Sequence, residues 1–176
     1  YLMTKLEKDF EFLKRIFKKF FDRNEIKSKL NQFDELSITG WEIWLQVELM
    51  IYLNSLPDEV SEFSREIRYD LDKRKNKLRD CCAIDLLIRQ KKAHSPIPIE
   101  IKQHRSASEC IRRMLSDIEK YDQIRESNRP TDRFLWCLGI HSKVEDETIR
   151  KYLRDFDSKF VFTYPIPKTE FMITLF

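Results

Sequence analysis

The residues best placed to do chemistry lie in the stretch Ile97-Pro98-Ile99-Glu100-Ile101-Lys102-Gln103-His104. Ile97, Ile99 and Ile101 alternate with Pro98, Glu100 and Lys102, which is the two-residue period of a strand. Proline is tolerated at the first positions of a strand. Glu100 and Lys102 therefore share one face, a carboxylate beside an ammonium. Taken alone, the two read most simply as a surface ion pair. Asp85 changes that reading. It is the one charge inside the apolar run Cys81-Cys82-Ala83-Ile84-Asp85-Leu86-Leu87-Ile88, which is short enough for a central strand. A hairpin loop centred near Lys92-Ala93 would put Asp85 close to opposite Glu100. Like charges facing each other across a strand pair are destabilising. A divalent cation removes the conflict. Carboxylate oxygens suit Mg²⁺, which keeps further positions for water and phosphate.

The elements that must position these groups follow from the same periodicities. Thr39-Gly40-Trp41-Glu42 has capping-box spacing and predicts a helix to about Ser55, ended by Pro57. On that helix Glu48 falls among Trp41, Trp44, Leu45, Ile51 and Tyr52, opposite Glu42, Gln46 and Asn54. A carboxylate on an apolar face is costly unless paired or metal-bound. Glu48 is thus either a core-edge glutamate salt-bridged to an arginine or a member of the same site. Phe63, Ile67, Tyr69 and Leu71 alternate with Arg68, Asp70 and Asp72, a strand pattern, before a basic turn of Lys73, Arg74, Lys75, Lys77 and Arg79. Ser106-Ala107-Ser108-Glu109 is a second capping-box spacing. The stripe Ala107, Cys110, Ile111, Met114, Ile118 and Tyr121 predicts a helix to about Glu126, with Arg105, Arg112 and Arg113 near its start. A strand over 134–140 should then lie parallel to the Ile97 strand through a right-handed crossover.

The flanks are also ordered in pattern. Leu6, Phe10, Leu13, Phe17 and Phe20 predict a helix over residues 2 to about 22, with Lys5, Lys8, Lys14, Arg15, Lys18 and Lys19 between them. Its basic face is either simply solvated, or meets a nucleic-acid backbone or a second copy. A second short helix fits 23–38, another helix 144–157, and strands fit Phe160, Phe162 and Tyr164 and the last residues.

Composition bounds the classes. The chain has 176 residues, 41% hydrophobic and 36% charged, with 13 Phe and 3 Trp, which fits one domain with a real core. A net charge of +3 says little about partners unless the charges cluster. Two glycines exclude a glycine-rich phosphate loop and with it P-loop or Rossmann chemistry. The four cysteines, Cys81, Cys82, Cys110 and Cys137, form no CxxC pair; they read as buried thiols in a reducing cytosol. No apolar run reaches bilayer-spanning length and no signal-peptide pattern opens the chain, so the expectation is a cytoplasmic protein without membrane contact.

Glu48 on a first helix, Asp85 on a second strand and Glu100-Ile101-Lys102 on a third, within helix, three strands, helix, strand, resemble the PD-(D/E)XK nuclease superfamily. The resemblance covers about residues 39–141. It implies an α/β, restriction-endonuclease-like mixed sheet with flanking helices, an αβββαβ core over 39–141, an N-terminal helical extension over 1–38 and C-terminal additions over 142–176. It further implies that Asp85, Glu100 and the carbonyl of Ile101 bind Mg²⁺, with Mn²⁺ able to substitute. Lys102 would activate or orient the attacking water, Glu48 would complete the site, and Gln103 is similar to an auxiliary glutamine of some branches. The pattern departs in one place, where Ile84 stands in the position of the family's proline. The implied activity is phosphodiester hydrolysis, with DNA the favoured substrate. Lys73, Arg74, Lys75, Lys77, Arg105, Arg112 and Arg113 would track the nucleic-acid backbone without reading sequence. Cutting both strands would favour a homodimer or larger complex. The alternative is a catalytically silent member of the fold that binds nucleic acid or serves in an assembly; a third reading makes Glu100 and Lys102 a surface pair on a protein-binding domain.

Overall fold

The computed structural model describes residues 2–70, 81–124, 129 and 131–176. It is α/β, a six-stranded mixed sheet with helices on both faces. The elements in chain order are α1 (Lys5–Phe21), α2 (Asn24–Glu35), α3 (Glu42–Asn54), β1 (Val60–Asp70), β2 (Cys81–Gln90), β3 (Ile97–Gln103), α4 (Ala107–Asp122), β4 (Trp136–Ser142), α5 (Asp146–Tyr152), β5 (Phe162–Pro165) and β6 (Phe171–Leu175). The strands lie in the order β1-β2-β3-β4-β6-β5. β1, β2 and β3 form an antiparallel meander; β4 runs parallel to β3 after the α4 crossover, and β6 returns antiparallel to β4.

The hairpin between β2 and β3 turns at Lys92, which takes φ 66°. Its register pairs Ile88 with Ile97, Leu87 with Pro98 and Leu86 with Ile99. That is the register expected from a loop centred at Lys92-Ala93, and it is fixed by alternation, since a one-residue slip would exchange the two sheet faces. Leu87 and Pro98 pair where no hydrogen bond from the proline nitrogen is needed, which is how Pro98 is accommodated.

The N-terminal helices are part of the main core. Phe10, Leu13, Phe17, Phe20, Phe21, Ile26 and Leu30 join Leu45, Leu49 and Leu53 of α3 and Leu86, Ile88, Ile97, Ile99 and Ile101 of the sheet in one buried cluster. The opposite face is covered by α4 and α5 through Cys110, Ile111, Met114, Ile149 and Leu153, packed on Cys137 and Met172. Gly139 on β4 allows the close approach of α4. A Cβ there would stand 2.5 Å from Met114 Sδ and 3.0 Å from Cys110 Sγ. No described helix is long and apolar enough to cross a membrane. Cys110 and Cys137 are buried free thiols, and burial pushes the Cys110 thiol up to about 12.

Two local expectations differ from the outcome. α3 has Trp41 as its N-cap without a side-chain cap hydrogen bond, so the Thr39–Glu42 capping box does not form. Glu42 is engaged elsewhere, as described below. The Ser106 cap of α4 does form, accepting from the Glu109 N–H at 3.4 Å, but the Glu109 carboxylate turns to Arg112 and Arg113. A capping box that the sequence reading passed over, Thr4 with Glu7, starts α1.

Candidate active site

β2 and β3 part after the Leu86–Ile99 pair, at the point where continued pairing would set Asp85 against Glu100. Past it, Asp85 Oδ2 accepts the Ile101 N–H at 2.8 Å. Two residues on, Glu42 Oε1 accepts the Gln103 N–H at 2.8 Å. N–H groups two residues apart on a strand point the same way, so two carboxylates take the place of β2 along this edge of β3. The carbonyl of Ile101 points to the same side as its N–H, toward Asp85.

Glu100 projects from the α4 face and is 8% exposed. Its carboxyl is hydrogen-bonded to that of Asp85. Burial is the largest cause that raises its pKa to about 10, followed by the Asp85 hydrogen bond and the charges of Asp85 and Asp117, with Lys102 pulling the other way. Burial and the neighbouring Asp85 carboxyl thus both favour the neutral form of Glu100, the direction expected when two carboxyls occupy one site. Lys102 stands on the same face as Glu100. Its Nζ is 3.0 Å from Asp117 Oδ2 of α4. Burial works against the lysine's charge, yet the ion pair with Asp117, helped by the charges of Glu42 and Glu100, raises its pKa.

The structure thus sets Asp85 beside Glu100 and puts Lys102 on the Glu100 face, ion-paired with Asp117, and two of the expected site residues fall elsewhere. Glu48 does not lie in the middle of a buried face. The buried positions of α3 are Leu45, Gln46, Leu49, Tyr52 and Leu53, Ile51 is 58% exposed, and Glu48 is half-buried. Among the described residues no hydrogen bond or ion pair joins Glu48 to Asp85, Glu100 or Lys102. The reason is that α3 carries apolar side chains all round, so its wheel does not specify a facing side. Packing turns Glu42 and Gln46 toward the sheet, and Glu42 is the α3 carboxylate that reaches β3. Gln103, the residue similar to an auxiliary glutamine, does not share the face of Glu100 and Lys102. Strand alternation puts it on the opposite face, buried, with Oε1 accepting the Gly40 N–H at 3.1 Å.

Two members went unrecognised in the sequence. Glu42 was absorbed by the capping-box reading. Asp117 had a usable signal, since its spacing from Met114 and Tyr121 puts a carboxylate into the apolar stripe of α4. Among the basic residues, Arg105 pairs with Asp34 at 2.5 Å, and Arg112 and Arg113 pair with Glu109 at 2.5 and 3.0 Å, all well exposed. Lys73, Arg74, Lys75 and Lys77 lie outside the described residues.

The donor set is compatible with a hard divalent cation. It offers two adjacent carboxyls and a backbone carbonyl on the side of Asp85, and Mg²⁺ typically takes only one or two carboxylates from a protein. Among the described residues no group of three or more His, Cys, Asp or Glu side chains forms a ready-made cage. A cavity of about 740 Å³ lies away from these groups, toward the start of β4 and lined by residues such as Tyr121, Phe134, Trp136 and Phe160. No family model, curated protein or solved structure matches the chain.

Proposed function

We propose that the chain is a metal-dependent nuclease that hydrolyses phosphodiester bonds, with DNA the favoured substrate. The observation that carries this reading is the Asp85–Glu100 carboxyl pair at the parting of two strands, with the Lys102 ammonium on the same face. Apolar residues would fill these positions at lower cost, because buried charged groups rarely repay their desolvation. Asp85, Glu100 and the Ile101 carbonyl would hold Mg²⁺ or Mn²⁺. The cation, when bound, would polarise a phosphoryl oxygen and lower the pKa of a bound water. The chain's own residues do the rest. Lys102 presents a fixed positive charge where negative charge develops on the phosphate, Asp85 holds the Ile101 backbone in register, and Glu42 holds that of Gln103. Glu100 would hold the cation through its carboxylate oxygens.

The test is cleavage of supercoiled plasmid, linear duplex and single-stranded DNA and RNA, each with Mg²⁺ and with Mn²⁺. Metal-dependent nicking or degradation that is lost in Asp85→Ala is the expected result. A second reading, a silent member of the same fold that binds nucleic acid, is favoured by the Lys102–Asp117 ion pair, which would equally suit a static charge network. Binding without cleavage of any substrate by either metal would select it.

A further inference from the structure

We infer that Asp117 is a positioning residue of this site, fixing the Lys102 ammonium on the sheet face that carries Glu100. The inference rests on the nuclease reading and names a residue that reading does not contain. Asp117 lies in the buried stripe of α4 with Cys110, Ile111, Met114 and Tyr121 and is 5% exposed. It has two cationic partners. Lys120 Nζ is 2.7 Å from its Oδ1 and Lys102 Nζ is 3.0 Å from its Oδ2. Oδ2 is fully buried and has no hydrogen-bond partner among the described residues, so the Lys102 ammonium is the charge that compensates it.

The two lysines are not equivalent. Lys120 is on the same helix, 39% exposed at its side chain, and is the ordinary i,i+3 partner that a surface aspartate would find. Lys102 comes from β3, fifteen positions earlier, and its side chain is 21% exposed. A lysine has four rotatable carbons and a strong preference for water. Left alone, Lys102 would be free to extend into solvent. Asp117 holds it against α4 on the face of Glu100, and the close packing of Met114 and Cys110 on Gly139 fixes the height of α4 above the sheet. Among the described residues the ion pairs of Asp117 run to Lys102 and Lys120, so its role runs through the lysine.

The experiment compares Asp117→Asn, which keeps shape and loses charge, with the parent, both shown to be folded by circular dichroism and melting. Three quantities are read: kcat and KM for the cleaved substrate, Mn²⁺ affinity by calorimetry, and acetylation of Lys102 by an amine-selective reagent, quantified by mass spectrometry. The expected result is kcat lower by about 10²-fold, as for loss of alignment by about an ångström, with KM and Mn²⁺ affinity unchanged and Lys102 labelled faster while Lys5 and Lys143 label as before. Unchanged Lys102 labelling, or unchanged kcat in a folded variant, overturns the inference. Mn²⁺ affinity weakened tenfold or more also overturns it, because Asp117 would then be a ligand. A parent that cuts nothing removes the nuclease reading, while the labelling still decides whether Asp117 holds Lys102.

Discussion

At the scale of single residues, the proposed nuclease gives Asp85, Glu100 and Lys102 separate tasks, and their substitutions should separate accordingly. Lys102→Ala is expected to abolish detectable plasmid nicking and leave Mn²⁺ affinity nearly unchanged, because an ammonium is not a ligand. Removal of a group that stabilises developing charge commonly costs about 10²–10³ in rate. Asp85→Ala should lose both cleavage and Mn²⁺ binding, since it removes an oxygen donor and frees the Ile101 N–H. Nicking assays and calorimetry measure the two effects. Equal cleavage by Lys102→Ala and the parent would remove the lysine from the site. Glu100 makes a different prediction. Its pKa rises from 4.5 in the unfolded chain to about 10 in the fold, so between those values the folded state binds the extra proton. Stability from this group is complete below the unfolded value and is lost as pH rises through the window. Glu100→Gln removes the ionisable proton and should flatten that decline. A gain of about 1 kcal/mol at pH 8 would raise the Tm by roughly 2–4 °C. Thermal melts between about pH 5 and 9 check it, and a slope as steep as the parent's would contradict a protonated Glu100.

At the scale of elements, the site exists because β2 leaves β3 early and side-chain carboxylates cover the exposed strand edge. Glu42 is the α3 contribution, through the Gln103 N–H. Glu42→Ala should leave that N–H without a partner and cost about 1–3 kcal/mol, together with a loss of cleavage from the displaced end of β3. Glu48→Ala, on the half-buried flank of the same helix, should cost less in both. Urea denaturation and nicking of the two variants compare them directly. A larger effect at Glu48 would mean that the α3 carboxylate of the site is the one expected from the sequence after all. The exposed side of α3 carries Ile43, Val47 and Ile51, which are 61%, 39% and 58% exposed; apolar residues on both sides are what made this helix ambiguous.

At the scale of the whole molecule, the first two helices are indispensable to the core. Phe10, Phe12, Leu13, Ile16, Phe17, Phe20, Phe21, Ile26 and Leu30 are all at most 5% exposed. Each buried side chain of this kind contributes about 1.5–3 kcal/mol, so together they exceed the roughly 5–15 kcal/mol net stability of a typical domain. A chain beginning at Thr39 is expected to show no cooperative melt, by calorimetry or circular dichroism. α1 is further tied across the molecule by the ion pair of Asp9 with Arg133, both nearly buried. Folding of the shortened chain would show instead that residues 39–176 are self-sufficient.

The sequence by itself determined the strand pair and its register. Alternation of Ile97, Ile99 and Ile101 with charged neighbours and one acid in an apolar run, with a loop centred at Lys92-Ala93, give the Leu86–Ile99 register, because side-chain period and turn position are local; that the strands part just before Asp85 and Glu100 was not legible. It also determined the helix–strand order and the parallel placement of β4 on β3. The facing of α3, the face occupied by Gln103's neighbours in space and the company of Lys102 were decided only by tertiary structure. A helix apolar on every side gives no preferred face until the sheet and α1 pack against it. Asp117 and Lys102 are fifteen residues apart on different elements, and no local period joins them. Their meeting depends on how closely α4 can lie on β4, and that is set by the missing side chain at Gly139.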